Sequence, residues 1–334
     1  MKSFYPYLIL FCLAYSNVVV ANCIDGNCKD GIGTYINSKG EKYTGEWKKA
    51  LPHGQGEISY ANGNYYKGQF VNGIIEGKGS YHYANGDKYT GQFVRFTKNG
   101  FGIYSYSDGE KYTGNFVNGK KDGRGEFIYN NGNVYKGEWK SGKKNGKGEL
   151  SSLNGRVYKG QFKNGVKEGR GVQTWGNGNR YSGAFVNDLF HGYATRFYPN
   201  GDKYVGQFKN GIKNGSGEYF YANGNYYKGF FKNGMKHGGG VYKWSDGGKY
   251  VGEFMNNNFH GVATRTYPNG DKYIGEFKNN KRNGMGTFLS KNGTSYSGNW
   301  VNNKKHGEGI CTLKSSKKIK CLWINDKLIE HKHL

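Results

Sequence analysis

The sequence is short of the residues that usually fill a globular interior. Hydrophobic residues make up 35% of the 334, and much of that share is aromatic, with 30 Tyr and 20 Phe. Leu, Ile and Val are too few for a thick aliphatic core. Proline is scarce, at 4 residues, while glycine reaches 58. Glycine at that level signals either disorder or a turn in every short unit. The regular placement of the aromatics decides for turns. Cysteine is absent between Cys28 and Cys311. Four thiols split between the two ends of a long array cannot converge on one zinc ion. Catalytic motifs are missing too: there is no P-loop, serine-hydrolase elbow or zinc-protease pair. No linker is long enough for an appended domain, and the tail after Trp323 is 334 − 323 = 11 residues. The expectation is a protein that is not an enzyme and uses no cofactor and no metal.

The N-terminus reads as a targeting segment. Lys2 is the only charge before Asp25, an apolar run from Tyr7 to Tyr15 follows, and Val19-Val20-Ala21 precedes a plausible cut. That is the pattern of a cleaved secretory signal, and the run is short for a membrane span of roughly 20 residues. It places the protein outside the cytoplasm: secreted, periplasmic or at the outer envelope. Val20-Ala21-Asn22-Cys23 also resembles a bacterial lipoprotein box, although Asn before the cysteine is atypical. Cys12 would leave with the signal. An oxidising compartment favours two local bridges, Cys23 with Cys28 and Cys311 with Cys321; free thiols are the alternative, and lipidation of Cys23 would exclude the first bridge.

Periodicity carries most of the information. Tyr43-Thr44-Gly45-Glu46-Trp47 is followed by Tyr66-Lys67-Gly68-Gln69-Phe70, and the element recurs every 23 residues through Tyr296. A decayed copy puts Ile319 and Trp323 in the aromatic columns, and Gly31-Ile32-Gly33 is half of a truncated first copy. Each unit also carries Gly-x-Gly, as in Gly77-Lys78-Gly79, with Ala in place of the second Gly at Ala194 and Ala263. Between the two signatures lies Asn-Gly or Asp-Gly, a hairpin turn signal. Parity then fixes a register. Tyr89, Gly91 and Phe93 share one strand face, as do Gly77, Gly79 and Tyr81. A three-residue loop, Ala84-Asn85-Gly86, sets Gly79 opposite Gly91 and Tyr81 opposite Tyr89.

These residues resemble the MORN family ("membrane occupation and recognition nexus"), over residues 24 to about 323. The resemblance implies an all-β protein: an elongated stack of about twelve 23-residue β-hairpin repeats forming one long twisted antiparallel sheet. At ~4.8 Å per strand, twelve repeats would extend about 120 Å. The expected organisation is a signal peptide at 1–21, a cap and partial repeat at 22–42, the array at 43–310, and a degenerate repeat, cap and tail at 311–334. In the family such repeats often accompany lipid kinase or methyltransferase domains, for which this chain has no space.

Two residue columns invite a functional reading. His53, His191, His237, His260 and His306 all precede the first Gly of Gly-x-Gly. Neighbours in a column are roughly 10 Å apart, too far to share zinc, so a polar turn position is expected. Charge is the stronger signal, with a formal net value of +25. Lys98, Lys121, Lys144, Lys167, Lys213, Lys236, Arg282 and Lys305 form one column in the connecting loops, interrupted by Ile75, Phe190 and Phe259 and thickened by Lys120, Lys143, Lys281 and Lys304. Stacking would make it a basic ridge able to attract an anionic membrane, lipopolysaccharide or nucleic acid; secretion argues against nucleic acid. The leading expectation is a non-enzymatic scaffold for a protein partner, with peripheral binding to anionic lipid as the alternative. Finally, Phe190-His191-Gly192-Tyr193-Ala194-Thr195-Arg196 recurs as Phe259-His260-Gly261-Val262-Ala263-Thr264-Arg265, either a recent duplication or a specialised patch facing a groove.

Overall fold

A computed structural model describes residues Cys23–His333, and the signal expected at residues 1–21 lies outside them. Among the described residues there are 28 strands, from Cys23–Gly26 to Lys327–His333, in an antiparallel sheet without helices. Residues up to Leu153 with Phe162–Gly165 form one compact unit, and Asn154–Gln161 with the chain from Val166 form another.

The register follows the parity of the sequence. Strand Ile74–His82 pairs with Lys88–Val94, setting Gly79 against Gly91 and Tyr81 against Tyr89. The Tyr83 amide donates to the Asp87 carbonyl at 2.9 Å, and the Gly86 amide donates to the Tyr83 carbonyl at 2.9 Å, closing Ala84-Asn85-Gly86 as a three-residue loop. Gly86 sits at φ 91°, a left-handed value that favours glycine.

The link between repeats is also a hairpin turn, tighter than the loop expected there. Val94 pairs with Thr97, so only Arg95 and Phe96 turn, at φ 45° and 63°. In the preceding repeat Asn72 and Gly73 do the same, at 51° and 78°. Two consecutive positive φ values make the primed turn that matches strand twist. Past this turn comes a bulge. Gly91 pairs with Gly102 but Phe93 with Lys98, so Gln92 faces extra residues, and Gly100 takes φ 75°. The Gln or Glu at this place fills the bulge: Gln69 Oε1 accepts from the Lys78 amide at 2.8 Å, and Glu276 Oε1 from the Met285 amide at 3.0 Å.

The core is a row of rings on one face of a single sheet. Tyr89 is 0% exposed and Phe93 3%. The Tyr89 ring stands at 87° to Phe93 and at 83° to Phe116 of the next repeat, with centroids 5.1 Å apart in both pairs. The pattern repeats within each unit, as Tyr43 with Phe70 and Tyr204 with Phe231. Each edge-to-face contact adds about 0.5–1.5 kcal/mol beyond area burial. The two glycine signatures make room for this ring. A Cβ on Gly102 would lie 2.5 Å from Tyr89 Cε2, and one on Gly91 would lie 2.6 Å from the Gly102 Cα. So placed, the Tyr89 hydroxyl donates to the Gln92 carbonyl at 3.0 Å, and buried Tyr204 does likewise to Gln207. Glycine therefore substitutes for a second layer: the ring lies flat on bare backbone.

Candidate functional site: an aromatic and cationic face

Above the buried rings lies a second, half-buried row on the same face. In the first unit it holds Tyr81 and Tyr104 on the long strands, with the buried Phe127 in the same column, and Tyr83 and Tyr106 beside the loops; in the second it holds Tyr219 and Tyr242 on the long strands, and Trp175, Tyr198 and Trp244 beside the loops. Neighbouring members touch, as Tyr81 with Tyr83 at 4.6 Å and Tyr83 with Tyr104 at 5.8 Å.

The basic column joins this row, which corrects its placement. Lys98, Lys121, Lys144, Lys167, Lys213, Lys236, Arg282 and Lys305 do not lie in loops. Each is the second residue of a long strand, as in Thr97–Ser105 for Lys98 and Lys281–Leu289 for Arg282. Each is half-buried, because cross-strand pairing with the core aromatic, Lys98 with Phe93 and Lys213 with Phe208, turns it to the ring face. Lys98 Nζ lies 4.5 Å from the Tyr104 centroid, Lys213 Nζ 4.7 Å from Tyr219, and Arg282 Cζ 4.1 Å from Trp300. Rings attract cations at such distances. Burial nevertheless disfavours the ammonium and pushes Lys98, Lys121 and Lys213 down to about 8. For Lys213 the nearby charge of Arg196 adds to the fall. The neighbours Lys120, Lys143, Lys281 and Lys304 remain exposed beside the turns.

In two repeats cation and ring change places. Phe190 takes the lysine position and Arg196 the tyrosine position six residues on, and Phe259 and Arg265 repeat the exchange. Phe190 stacks on Tyr181 at 3.8 Å and Phe259 on Tyr250 at 3.9 Å. These are the repeats with Ala194 and Ala263, whose methyls would collide with a Cβ on Gly183 or Gly252. The Arg196 guanidinium carbon lies 5.8 Å from the Trp175 ring and 4.8 Å from Tyr198; that of Arg265 lies 4.9 Å from Trp244 and 4.7 Å from Tyr267. Next to Arg265, Tyr267, Asn269, Asp271, Arg282 and Phe288 line an open cleft of about 460 Å³. In the sequence the interrupted lysines and the odd arginines stand as separate features. The signal joining them was their common spacing of six residues.

The histidine column has a local task. Glu76 and Asp122 hold the same position in their repeats, and three of these side chains cap a left-handed turn residue: the Glu76 carboxylate accepts from the Arg95 amide at 2.9 Å, Asp122 from the Ser141 amide at 3.0 Å, and His53 Nδ1 from the Asn72 amide at 3.4 Å. In His191, His260 and His306 the buried Nδ1 has no partner among the described residues. The cysteines sit at the ends. Cys23 is bonded to Cys28, and Cys311 to Cys321, with Cα atoms 6.0 and 6.1 Å apart. The second pair is diagonal, since Cys311 faces Ile319 and Cys321 faces Gly309.

Known proteins match the chain in two ways. The family model described as "MORN repeat" matches twelve times, from residues 43–65 to 296–316. No curated protein matches. Among solved structures, the SAS-4 TCP domain of Drosophila melanogaster in complex with a proline-rich motif of Ana2 is 16% identical. That match covers 54% of this chain and 96% of that one, with TM-score 0.32. The TCP10 domain of Danio rerio CPAP is 11% identical over 70% of this chain and 99% of that one, with TM-score 0.22. With twelve consecutive repeats over most of its length, each built on the same tyrosine and glycine pair, the chain belongs to the MORN-repeat family.

Proposed function

We propose that this protein is a non-enzymatic scaffold that presents its half-buried aromatic and cationic face to a protein partner outside the cytoplasm. One observation carries the reading: a second row of rings and recessed cations lies open on the ring face, beyond what the buried Tyr and Phe columns need for packing. Large rings with few rotatable bonds, and arginines such as Arg196 and Arg265 beside them, are the usual anchors of protein interfaces. The apolar segment from Tyr7 to Tyr15 and the two bonded cysteine pairs support an oxidising location outside the cytoplasm. Affinity capture from the native envelope, with wild type beside a variant carrying Tyr83→Ala, Tyr106→Ala and Tyr221→Ala, tests it. The partner should be retained by wild type and lost by the variant; equal capture by both sinks the reading.

The alternative is peripheral binding to anionic lipid or lipopolysaccharide. Exposed Lys120, Lys143, Lys281 and Lys304 beside the turns favour it. Co-sedimentation with anionic vesicles that weakens steeply with salt, and none with neutral vesicles, would support it.

A further inference from the structure

The second unit contains the same cation site twice. At the first, Arg196 packs between Trp175 and Tyr198, and Lys213 sits over Tyr219. At the second, Arg265 packs between Trp244 and Tyr267, and Arg282 sits within 5.9 Å of Phe288. The rings that carry the paired cations adjoin in both, Tyr198 with Tyr219 at 5.8 Å and Tyr267 with Phe288 at 6.1 Å. Tryptophan appears in the loop-side column only at Trp175 and Trp244, beside these two arginines. Phe190 and Phe259 brace the two tryptophans at 6.1 and 5.7 Å. With Ala194 and Ala263, four positions have changed together, twice, at a separation of 265 − 196 = 69 residues, or three repeats.

Packing does not require this arrangement. Five other repeats fill the same space with one cation and one ring, as Lys98 with Tyr104 and Lys236 with Tyr242. Here each site gathers two cations instead. Neither Arg196 nor Arg265 forms an ion pair among the described residues. The Arg196 Nε donates only a long 3.4 Å bond to Asn179 Oδ1, which leaves the guanidinium fork open. One carboxylate stands beside each pair, Asp202 near Lys213 and Asp271 in the cleft with Arg282, so each site keeps an excess of one positive charge; an added anionic side chain relieves it, most fully by a carboxylate meeting the open fork with two parallel bonds.

We infer that the two sites are the anchors of an extended acidic polypeptide, which lies across three repeats of the second unit and places one carboxylate-bearing side chain at Arg196 and another at Arg265. The inference rests on the protein-scaffold reading above and supplies the partner's chemistry. Six strand spacings of ~4.8 Å put the anchors about 29 Å apart. An extended chain of roughly eight or nine residues covers that distance at ~3.4 Å each. Recession decides for a peptide over a bilayer. Both arginines are half-buried between rings, where a side chain on a narrow strand can enter and a flat lipid surface cannot.

A molecular ruler tests this. Labelled peptides carry two Glu-Glu blocks joined by four, nine or fourteen prolines, spanning about 12, 28 and 43 Å at ~3.1 Å per residue. A single-block peptide and a bare oligoproline complete the set. The nine-proline peptide should bind wild type at least about tenfold more tightly than the shorter, longer and single-block peptides, because only it engages both anchors. Arg196→Gln or Arg265→Gln should remove that preference with the thermal melt unchanged, and Arg→Lys should restore part of it. Equal affinity for the three spacers, or a preference that survives both Arg→Gln changes, overturns the inference. So does loss of anionic-vesicle binding in the double variant when no peptide binds, which assigns the face to a membrane. If the double variant still captures the native partner, the scaffold reading stands and the acidic-peptide inference alone fails.

Discussion

At the scale of single residues, the tyrosine and its two glycines are one device seen from three sides. Gly91 and Gly102 both lie under the Tyr89 ring, but they are not equivalent. A methyl on Gly102 meets a ring that can shift, and Ala194 and Ala263 occupy that position naturally. A methyl on Gly91 meets the backbone of the facing strand, which cannot. Gly91→Ala should therefore cost about 2–3 kcal/mol and Gly102→Ala about 1 kcal/mol, within the range for overpacking, in urea denaturation curves. Equal losses would mean that the ring, not the backbone, sets the limit. Titration is the second residue-scale consequence. Lys98, Lys121 and Lys213 are depressed to about 8 by burial, so the unfolded chain binds more protons between about pH 8 and the ordinary lysine value. Stability should rise with pH across that window. The buried tyrosines act oppositely. Burial raises Tyr66, Tyr112 and Tyr273, so above the ordinary phenol value the unfolded chain loses protons that the folded one keeps, and stability falls. Calorimetry should show a melting maximum near pH 10, and Lys98→Met, Lys121→Met and Lys213→Met together should flatten the rise below it without moving the fall above it.

At the scale of the element, seven of the long strands hold one cation and one ring six residues apart, straddling Gly-x-Gly or Gly-x-Ala. Lys98 with Tyr104 and Phe190 with Arg196 are the two orders of the same pair. Phe190→Lys alone should set two cations together without the intervening ring, and Arg196→Tyr alone should remove the cation. The double exchange recreates the common order. A double-mutant cycle should return a favourable coupling of about 1 kcal/mol, and additive losses would show that the two positions are independent. This element also marks where the sequence stops being legible. Gly79 against Gly91 follows from parity and a loop of odd length, because the side-chain period of a strand admits no other match. The lysines carry no such parity signal. Asn118-Gly119-Lys120-Lys121-Asp122-Gly123 reads as one polar loop, yet only Asn118 and Gly119 turn. Gly123 has a positive φ because it belongs to a bulge inside a strand, and nothing in composition separates a bulge glycine from a turn glycine. A loop boundary placed two residues late therefore moves a whole column of charge from the ring face to the solvent.

At the scale of the whole molecule, each strand is held by its sequence neighbours, so stability is close to a sum of nearest-neighbour terms and the terminal strands have half the support. The bonded pairs stand at these weak places. Cys23–Cys28 closes the short first hairpin around Gly26, and Cys311–Cys321 joins the strands Lys304–Thr312 and Lys318–Ile324 just before the last strand, Lys327–His333. The second bond also stands in for a missing ring: Ile319 occupies the position of the buried tyrosine, and Cys321 that of its glycine, so the stacking that anchors Tyr296 on Trp323 has no successor. A crosslink restrains the unfolded chain, which matters most where folding contributes least. Reduction should therefore leave amide exchange in strands such as Lys111–Val117 and Lys249–Met255 unchanged while accelerating it at least tenfold in Lys318–Ile324 and Gly31–Ile36. Uniform acceleration along the chain would show that the repeats unfold as one cooperative block, and no change at the ends would show that the terminal hairpins need no staple.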